Sequence, residues 1–323
     1  MTVGWALSWR GWARWLGLLG LVVALAACQG NPAGTASPAA TRPRVRTLTP
    51  APPPTATVTP SPTPLPLAAR VNGEAILVAE WVAETQRALT AARDLGLDLA
   101  PADAGVQALD MLIERLLLAQ AAREQGLFPS EADLTARLEE LTAARGGPDA
   151  WAAYLDALGY TPEAFRRALA LDLAAARMRD AVAAQVPTHG PQVKARVIQV
   201  PTRAEAEAVL QYLQAGNEFR ALVRQYHPGG QGDLGWFPRG VLWAPEVEEA
   251  AFALEPGQYS DIVATDRGFY IVFVEDRAED RPYAPWALDV LRARAVEDFL
   301  AQRRAAAQID ILVTPQEPPL PEP

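Results

Sequence analysis

The chain has 323 residues, a formal net charge of −9, one cysteine and two histidines. An acidic body repels phosphate backbones and argues against a nucleic-acid partner. A lone cysteine excludes an intrachain disulfide, and two histidines with scattered carboxylates give no metal-ligand spacing, so neither metal nor other cofactor is expected.

Residues 1–27 read as an export signal. Arg10 and Arg14 precede an apolar run from Trp15 to Ala27 that is short for a bilayer span. Leu25-Ala26-Ala27-Cys28 resembles the lipobox of bacterial lipoproteins, which implies cleavage before Cys28 and lipidation of that residue. The competing reading is an uncleaved amphipathic anchor with an incidental cysteine. Residues 28–67 are almost entirely Pro, Thr, Ala and Ser. They bury too little to offset their ordering entropy and read as a disordered linker biased to polyproline II.

Residues 68–187 read as a helical domain. Val71-Asn72-Gly73-Glu74-Ala75-Ile76 suggests a short strand or turn leading into a helix from about Val78. The next helix sets Leu109, Leu112, Ile113, Leu116 and Leu117 on one stripe. Ser130 and Asp133 open a third, closed by Gly146-Gly147; a fourth ends at Gly159. Thr161-Pro162-Glu163 opens a long helix with Phe165, Leu169, Leu173 and Ala176 on one face. These stripes point to core packing rather than chemistry.

From Pro187 the pattern changes. Val193–Val200 reads as a strand; Thr202 and Glu205 form a capping box for a helix that turns Ala206, Val209, Leu210 and Leu213 inward. A short helix, a glycine-rich loop, a helix after Pro245 and two strands, Tyr259–Ala264 and Gly268–Glu275, complete a β-α-α-loop-α-β-β unit over residues 190–282. A last helix, with Leu288, Leu291, Ala295 and Phe299 on one stripe, is expected in segment 283–312 to pack on the helical domain. The proline-rich residues 313–323 are expected to be disordered.

The stretch GQGDLGWFPRG and the later PEVEEAAFALEPGQYSDIVATDRGFYIV resemble the parvulin family of peptidyl-prolyl cis-trans isomerases. The match runs through Asp233-Leu234-Gly235-Trp236-Phe237, Arg239-Gly240, Glu248 to Leu254, Gly257, Ser260 and Gly268. The flanks are similar to the SurA/PrsA foldases: an export signal, a helical domain opening with Val71-Asn72-Gly73-Glu74, the parvulin domain and a returning helix. This resemblance implies an α+β protein: an all-helical SurA-N-like domain completed by the C-terminal helix, plus a small parvulin-like domain with an antiparallel sheet. It implies a groove for a proline ring lined by Leu234, Leu242, Val247 and Phe252; the competing reading makes all four plain core residues. Its partners would be unfolded or nascent exported polypeptides, with the membrane reached through the N-terminal lipid, so that the protein is extracytoplasmic and anchored to a bacterial cell membrane.

Isomerisation of an X-Pro bond meets a barrier of ~18–20 kcal/mol and needs an apolar cup and a stabilised twisted amide rather than a nucleophile. The family places two histidines under that cup. Here the first falls at Val197, in Ala195-Arg196-Val197-Ile198, and the second at Tyr270, in Gly268-Phe269-Tyr270-Ile271. The family's cysteine or aspartate has no clear counterpart in the shortened loop from His227 to Gly232. Two readings follow. In one, Tyr270, His227 and Thr265 form a smaller catalytic network. In the other, the groove persists as a binding site and the catalytic floor is gone, since a valine donates no hydrogen bond. Weak or absent isomerase activity is expected.

Overall fold

The computed structural model describes residues 65–320 except Gln231. The expected signal, Cys28 and the linker up to residue 64 lie outside the described residues. In chain order the elements are β1 (Leu67–Val71), β2 (Glu74–Leu77), α1 (Val78–Asp94), α2 (Pro101–Glu124), α3 (Glu131–Ala144), α4 (Pro148–Ala157) and α5 (Pro162–Ala183). They continue with β3 (His189–Val200), α6 (Arg203–Gln214), α7 (Phe219–Tyr226), β4 (Asp233–Phe237), α8 (Pro245–Ala253), β5 (Val263–Thr265), β6 (Gly268–Pro282), α9 (Pro285–Ala306) and β7 (Ile309–Ile311). No helix among the described residues is long and apolar enough to cross a membrane.

Asn72 and Gly73 have φ of 50° and 85°, the paired positive values that a two-residue type I′ hairpin requires. They fold β2 antiparallel onto β1, and β7 pairs with the other side of β1. The N-terminal domain is therefore not all-helical as the sequence suggested. Its three-stranded sheet needs a strand from the far end of the chain, and three residues are too short to show a period.

Helix starts follow the side-chain chemistry. The Ser130 hydroxyl accepts from the Asp133 amide at 3.2 Å while Asp133 accepts from the Ser130 amide at 3.0 Å. Thr202 and Glu205 repeat this box, and Thr161 accepts from the Ala164 amide at 3.1 Å. The stripe of α2, Leu109 to Leu117, is buried against α1 and α5. On α5 the buried face is Leu171, Ala174, Ala175, Met178 and Val182, not the stripe expected from sequence; Ala176 is exposed. Small alanines let α5 approach α2 closely, and Phe165 instead packs edge-on against Trp151 and Tyr160 at 5.0 and 5.5 Å.

The second sheet is antiparallel throughout, in the order β4-β3-β6-β5. Asp233–Phe237, which falls in the segment read from sequence as a glycine-rich loop, is its edge strand β4. One sheet face carries Val193, Ala195, Val197, Tyr270, Val272 and Val274; the other carries Ile198, Val200 and Ile271 beneath α6 and α7. α9 does more than return to the helical domain. Its early residues Ala287, Val290 and Leu291 join the core of the first sheet face, and its later residues Val296 and Leu300 join the helical core.

The tail beyond residue 312 was expected to be disordered, and the structure corrects this up to residue 320. Val313 packs on the helical core and Pro315 and Pro318 lie against α2 at Gly105. A Cβ on Gly105 would stand 2.4 Å from the Pro315 carbonyl oxygen, so the missing side chain is what admits the tail. Proline rings bury apolar surface without an amide to satisfy. Gly105→Ala is therefore expected to lower stability by about 1–3 kcal/mol in urea titration through overpacking. In a chain truncated after Val313 the same change is expected to become neutral or stabilising by up to about 1 kcal/mol, the helix-propensity gain of alanine.

Candidate functional site

The segment from Gly232 to Phe237 builds one wall of the site. Gly232 passes so close to β3 that a Cβ would lie 2.6 Å from the Val197 carbonyl oxygen, and its own carbonyl accepts from the Val197 amide at 2.8 Å. Gly235 has φ of 66°, a left-handed conformation in which its amide donates to Asp233 Oδ1 at 3.0 Å. The other Asp233 oxygen meets Arg196 at 2.8 Å. Arg196 opposes Asp233 and Ala195 opposes Gly235, so Leu234 is the extra residue of a β-bulge. The bulge turns its side chain onto the apolar cluster of the sheet.

The opposite wall is set by one carboxylate. Glu248, in the first turn of α8, accepts from three successive amides: Gly240 at 2.8 Å, Val241 at 3.1 Å and Leu242 at 3.2 Å. Arg294 of α9 donates to the Leu242 carbonyl at 3.3 Å. Leu242 is thereby fixed inward, 9% exposed, beside Val247 at 2%. Half-buried Phe252 stands edge-on to Phe237 at 6.0 Å. Leu234, Leu242, Val247 and Phe252 thus share one apolar cluster with Val197 and Tyr270, the two positions where the resemblance placed histidines.

The three polar residues expected to form a catalytic network have no hydrogen bonds to one another. Tyr270 lies in the cluster, 2% exposed, with its ring 5.3 Å from that of Trp243. Burial pushes its phenol up, Arg267 opposes this and Asp266 reinforces it, so the hydroxyl stays neutral at physiological pH. His227 sits at the sheet edge, where β4 has ended: its Nε2 accepts from the Gln199 amide at 2.9 Å, the next donor after Val197 on the β4 side of β3. Thr265 closes the β5–β6 turn, accepting from the Arg267 amide and donating to the Gly268 carbonyl, both at 3.1 Å. Cys28 is outside the described residues.

Sequence reasoning missed Glu248 and Trp243. An acid in a first helical turn after a Gly-Val-Leu loop could have marked Glu248 as a loop clamp; no such signal marked Trp243.

Residues 180–285 match the family model for the PPIC-type PPIase domain, and residues 56–179 match the SurA-like N-terminal domain. The chain thus joins a region similar to SurA-like N-terminal domains to a region similar to PPIC-type PPIase domains. Its relatives include Foldase protein PrsA of Geobacillus sp. strain WCH70, 40% identical over 98 residues, 29% of this chain and 35% of that one. Foldase protein PrsA of Halalkalibacterium halodurans is 35% identical over 130 residues, 38% of this chain and 39% of the relative. Chaperone SurA of Cupriavidus metallidurans is 32% identical over 134 residues, 36% and 27% of the two chains. These matches span well under half the length of each relative. A crystal structure of the peptidylprolyl isomerase PrsA from Bacillus cereus overlaps 62% of this chain and 77% of its own, at 25% identity and a TM-score of 0.42.

Two outcomes follow from this geometry. Glu248→Ala leaves three half-buried amides without their charged acceptor and is expected to cost about 2–4 kcal/mol, read by chemical denaturation, with Glu248→Gln recovering part. The second concerns His227, whose pKa is lowered by burial. A depressed imidazole pKa favours the fold when the ring is neutral. That stability is present above its ordinary value of 6.5 and is lost as pH falls through the folded value. The urea midpoint is therefore expected to fall on acidification from about pH 7.5 to about pH 5.5 by more in the native chain than in His227→Gln.

Proposed function

We propose that the chain is an exported foldase, tethered by a lipid on Cys28 at the end of a 28–67 linker, that holds proline-containing segments of unfolded secreted proteins. Leu234, Leu242, Val247 and Phe252 form the cup for the proline ring, with Tyr270 and Val197 beneath it. The observation that carries this reading is that all six share one cluster on a single sheet face, held from both ends by the Leu234 bulge and the Glu248 clamp. The helical domain supplies the body from which the cup is presented.

The reading favours binding over fast catalysis. The barrier to X-Pro rotation is loss of amide resonance, and an apolar cup lowers it by excluding water from the amide. A preorganised donor adds to this, and removing one typically costs ~10²–10³-fold in rate. Val197 offers no donor, and His227 and Thr265 are committed to the backbone of the sheet edge and the turn. Tyr270 is the one hydroxyl of the trio left for the task.

Exchange NMR on a proline tetrapeptide separates these contributions. The expected result is peptide binding that Phe252→Ala abolishes, with cis–trans exchange within about tenfold of the uncatalysed rate. Rapid exchange that collapses in Tyr270→Phe would make the domain a working isomerase with a tyrosine donor. A peptide that shows no shift with the native chain would remove the cup. Tethering is tested by fractionation: Cys28→Ala is expected to leave the membrane fraction, and its retention there would show another anchor.

A further inference from the structure

The rim of the cup carries a second recognition element. Trp243 follows Leu242 directly and is 47% exposed, with one side of its ring toward Tyr270. The Arg267 guanidinium lies over the same ring, 4.8 Å from its centroid. The backbone that launches Arg267 is pinned twice: its amide donates to Thr265 Oγ1 at 3.1 Å, and its carbonyl accepts from the Gln199 side-chain amide at 2.9 Å. A cation held on an aromatic shelf in this way loses little freedom when a further partner arrives, because its planar fork is already oriented.

The other arginines around the cup are engaged. Arg239 pairs with Glu249 at 2.9 Å while lying over Phe252. Arg277 donates to the Phe252 carbonyl and stands 3.7 Å from Glu255, and Arg294 donates to the Leu242 carbonyl. Among the described residues Arg267 has no carboxylate within ion-pair distance, in a chain whose net charge is −9. A cation kept free of carboxylates on so acidic a protein, beside an apolar cup, matches a ligand that presents a carboxylate next to its apolar ring.

We infer that the Trp243–Arg267 pair selects clients in which an acidic residue flanks the proline. Arg267 takes the carboxylate and Trp243 covers the peptide between it and the cup. This rests on the cup reading above and adds a substrate class to it.

The test is fluorescence anisotropy of the full chain with labelled tetrapeptides Ala-Glu-Pro-Phe, Ala-Gln-Pro-Phe and Ala-Pro-Glu-Phe. One of the two glutamate peptides is expected to bind about three- to fivefold tighter than the glutamine peptide, the gain an exposed, preoriented ion pair supplies. The preference should shrink with added salt. Arg267→Gln should bring the ratio to about one, Arg267→Lys should retain part of it, and Trp243→Ala should reduce it by freeing the guanidinium. Equal binding of all three peptides, or a preference that survives Arg267→Gln, overturns the inference while leaving the cup in place. Absence of binding by every peptide, or affinities unmoved by Phe252→Ala, overturns the cup and the inference with it.

Discussion

A single carboxylate organises the sheet on which the site is built. Glu275 of β6 has a side chain only 3% exposed and meets Arg196 of β3, Arg220 of α7 at 2.8 Å and Lys194 of β3 at 3.2 Å. Burial disfavours its charge, but the hydrogen bonds from Arg196 and Lys194 and the charges of Arg196 and Arg220 outweigh that and hold its carboxyl below the ordinary range. Removing one member of such a set strands a buried charge, at a typical cost of about 3–5 kcal/mol. Arg196 carries the chain of contacts onward to Asp233, and Asp233 to the Gly235 amide. The bulge that aims Leu234 onto the apolar cluster therefore hangs on an ion cluster formed on the other face of the sheet.

The same alternation explains how the apolar cluster of this sheet face is filled. Residues 193, 195 and 197 of β3 and 270, 272 and 274 of β6 project to one face, and those between them to the other. Val197 opposes Val272 in register, so an aliphatic side chain at 197 adds to the cluster instead of leaving a hole. At position 270 a tyrosine keeps an apolar ring in the layer and places Trp243 above it. Both residues pack in the layer; Val197 brings no hydrogen-bonding group, and Tyr270 brings only its hydroxyl. Packing and hydrogen-bonding chemistry are thus set separately at these two positions of the sheet.

Much of this was legible in the sequence. Helix starts at Ser130, Thr161 and Thr202 could be read because their determinants are local: a hydroxyl that caps the amide three residues on, reinforced at Ser130 and Thr202 by an acid there, decides the matter before any tertiary contact forms. The motif around Asp233 stood out for a similar reason, since its glycines and acid answer to one another within a few residues. What escaped reading depends on distant partners. Strand β7 exists because β1 offers a free edge, and the tail is ordered because Gly105, far away in sequence, lacks a Cβ. The inward face of α5 was misassigned because two apolar stripes compete on that helix and only α2 selects between them. The role of His227 was equally hidden, because the amide it satisfies becomes orphaned only where β4 stops.

Helix α9 binds these separate facts into one. Its first half is part of the cup's own cluster, with Leu291 against Gly240 and Arg294 on the Leu242 carbonyl. Its second half fills the helical core and is tied to α2 through Arg303–Glu124 and Arg304–Asp110. The loop that carries Leu242 is consequently gripped by Glu248 from one side and by a helix rooted in the other domain from the other side. Rotation of one domain against the other would either bend α9 or withdraw Ala287, Val290 and Leu291 from the cup, exposing apolar surface at roughly 25 cal/mol per Å². Packing of that kind has discrete solutions rather than a continuum. The cluster around Leu242 is therefore not a module on a flexible tether to the helical body, and the placing of Leu242 is a property of the two domains jointly.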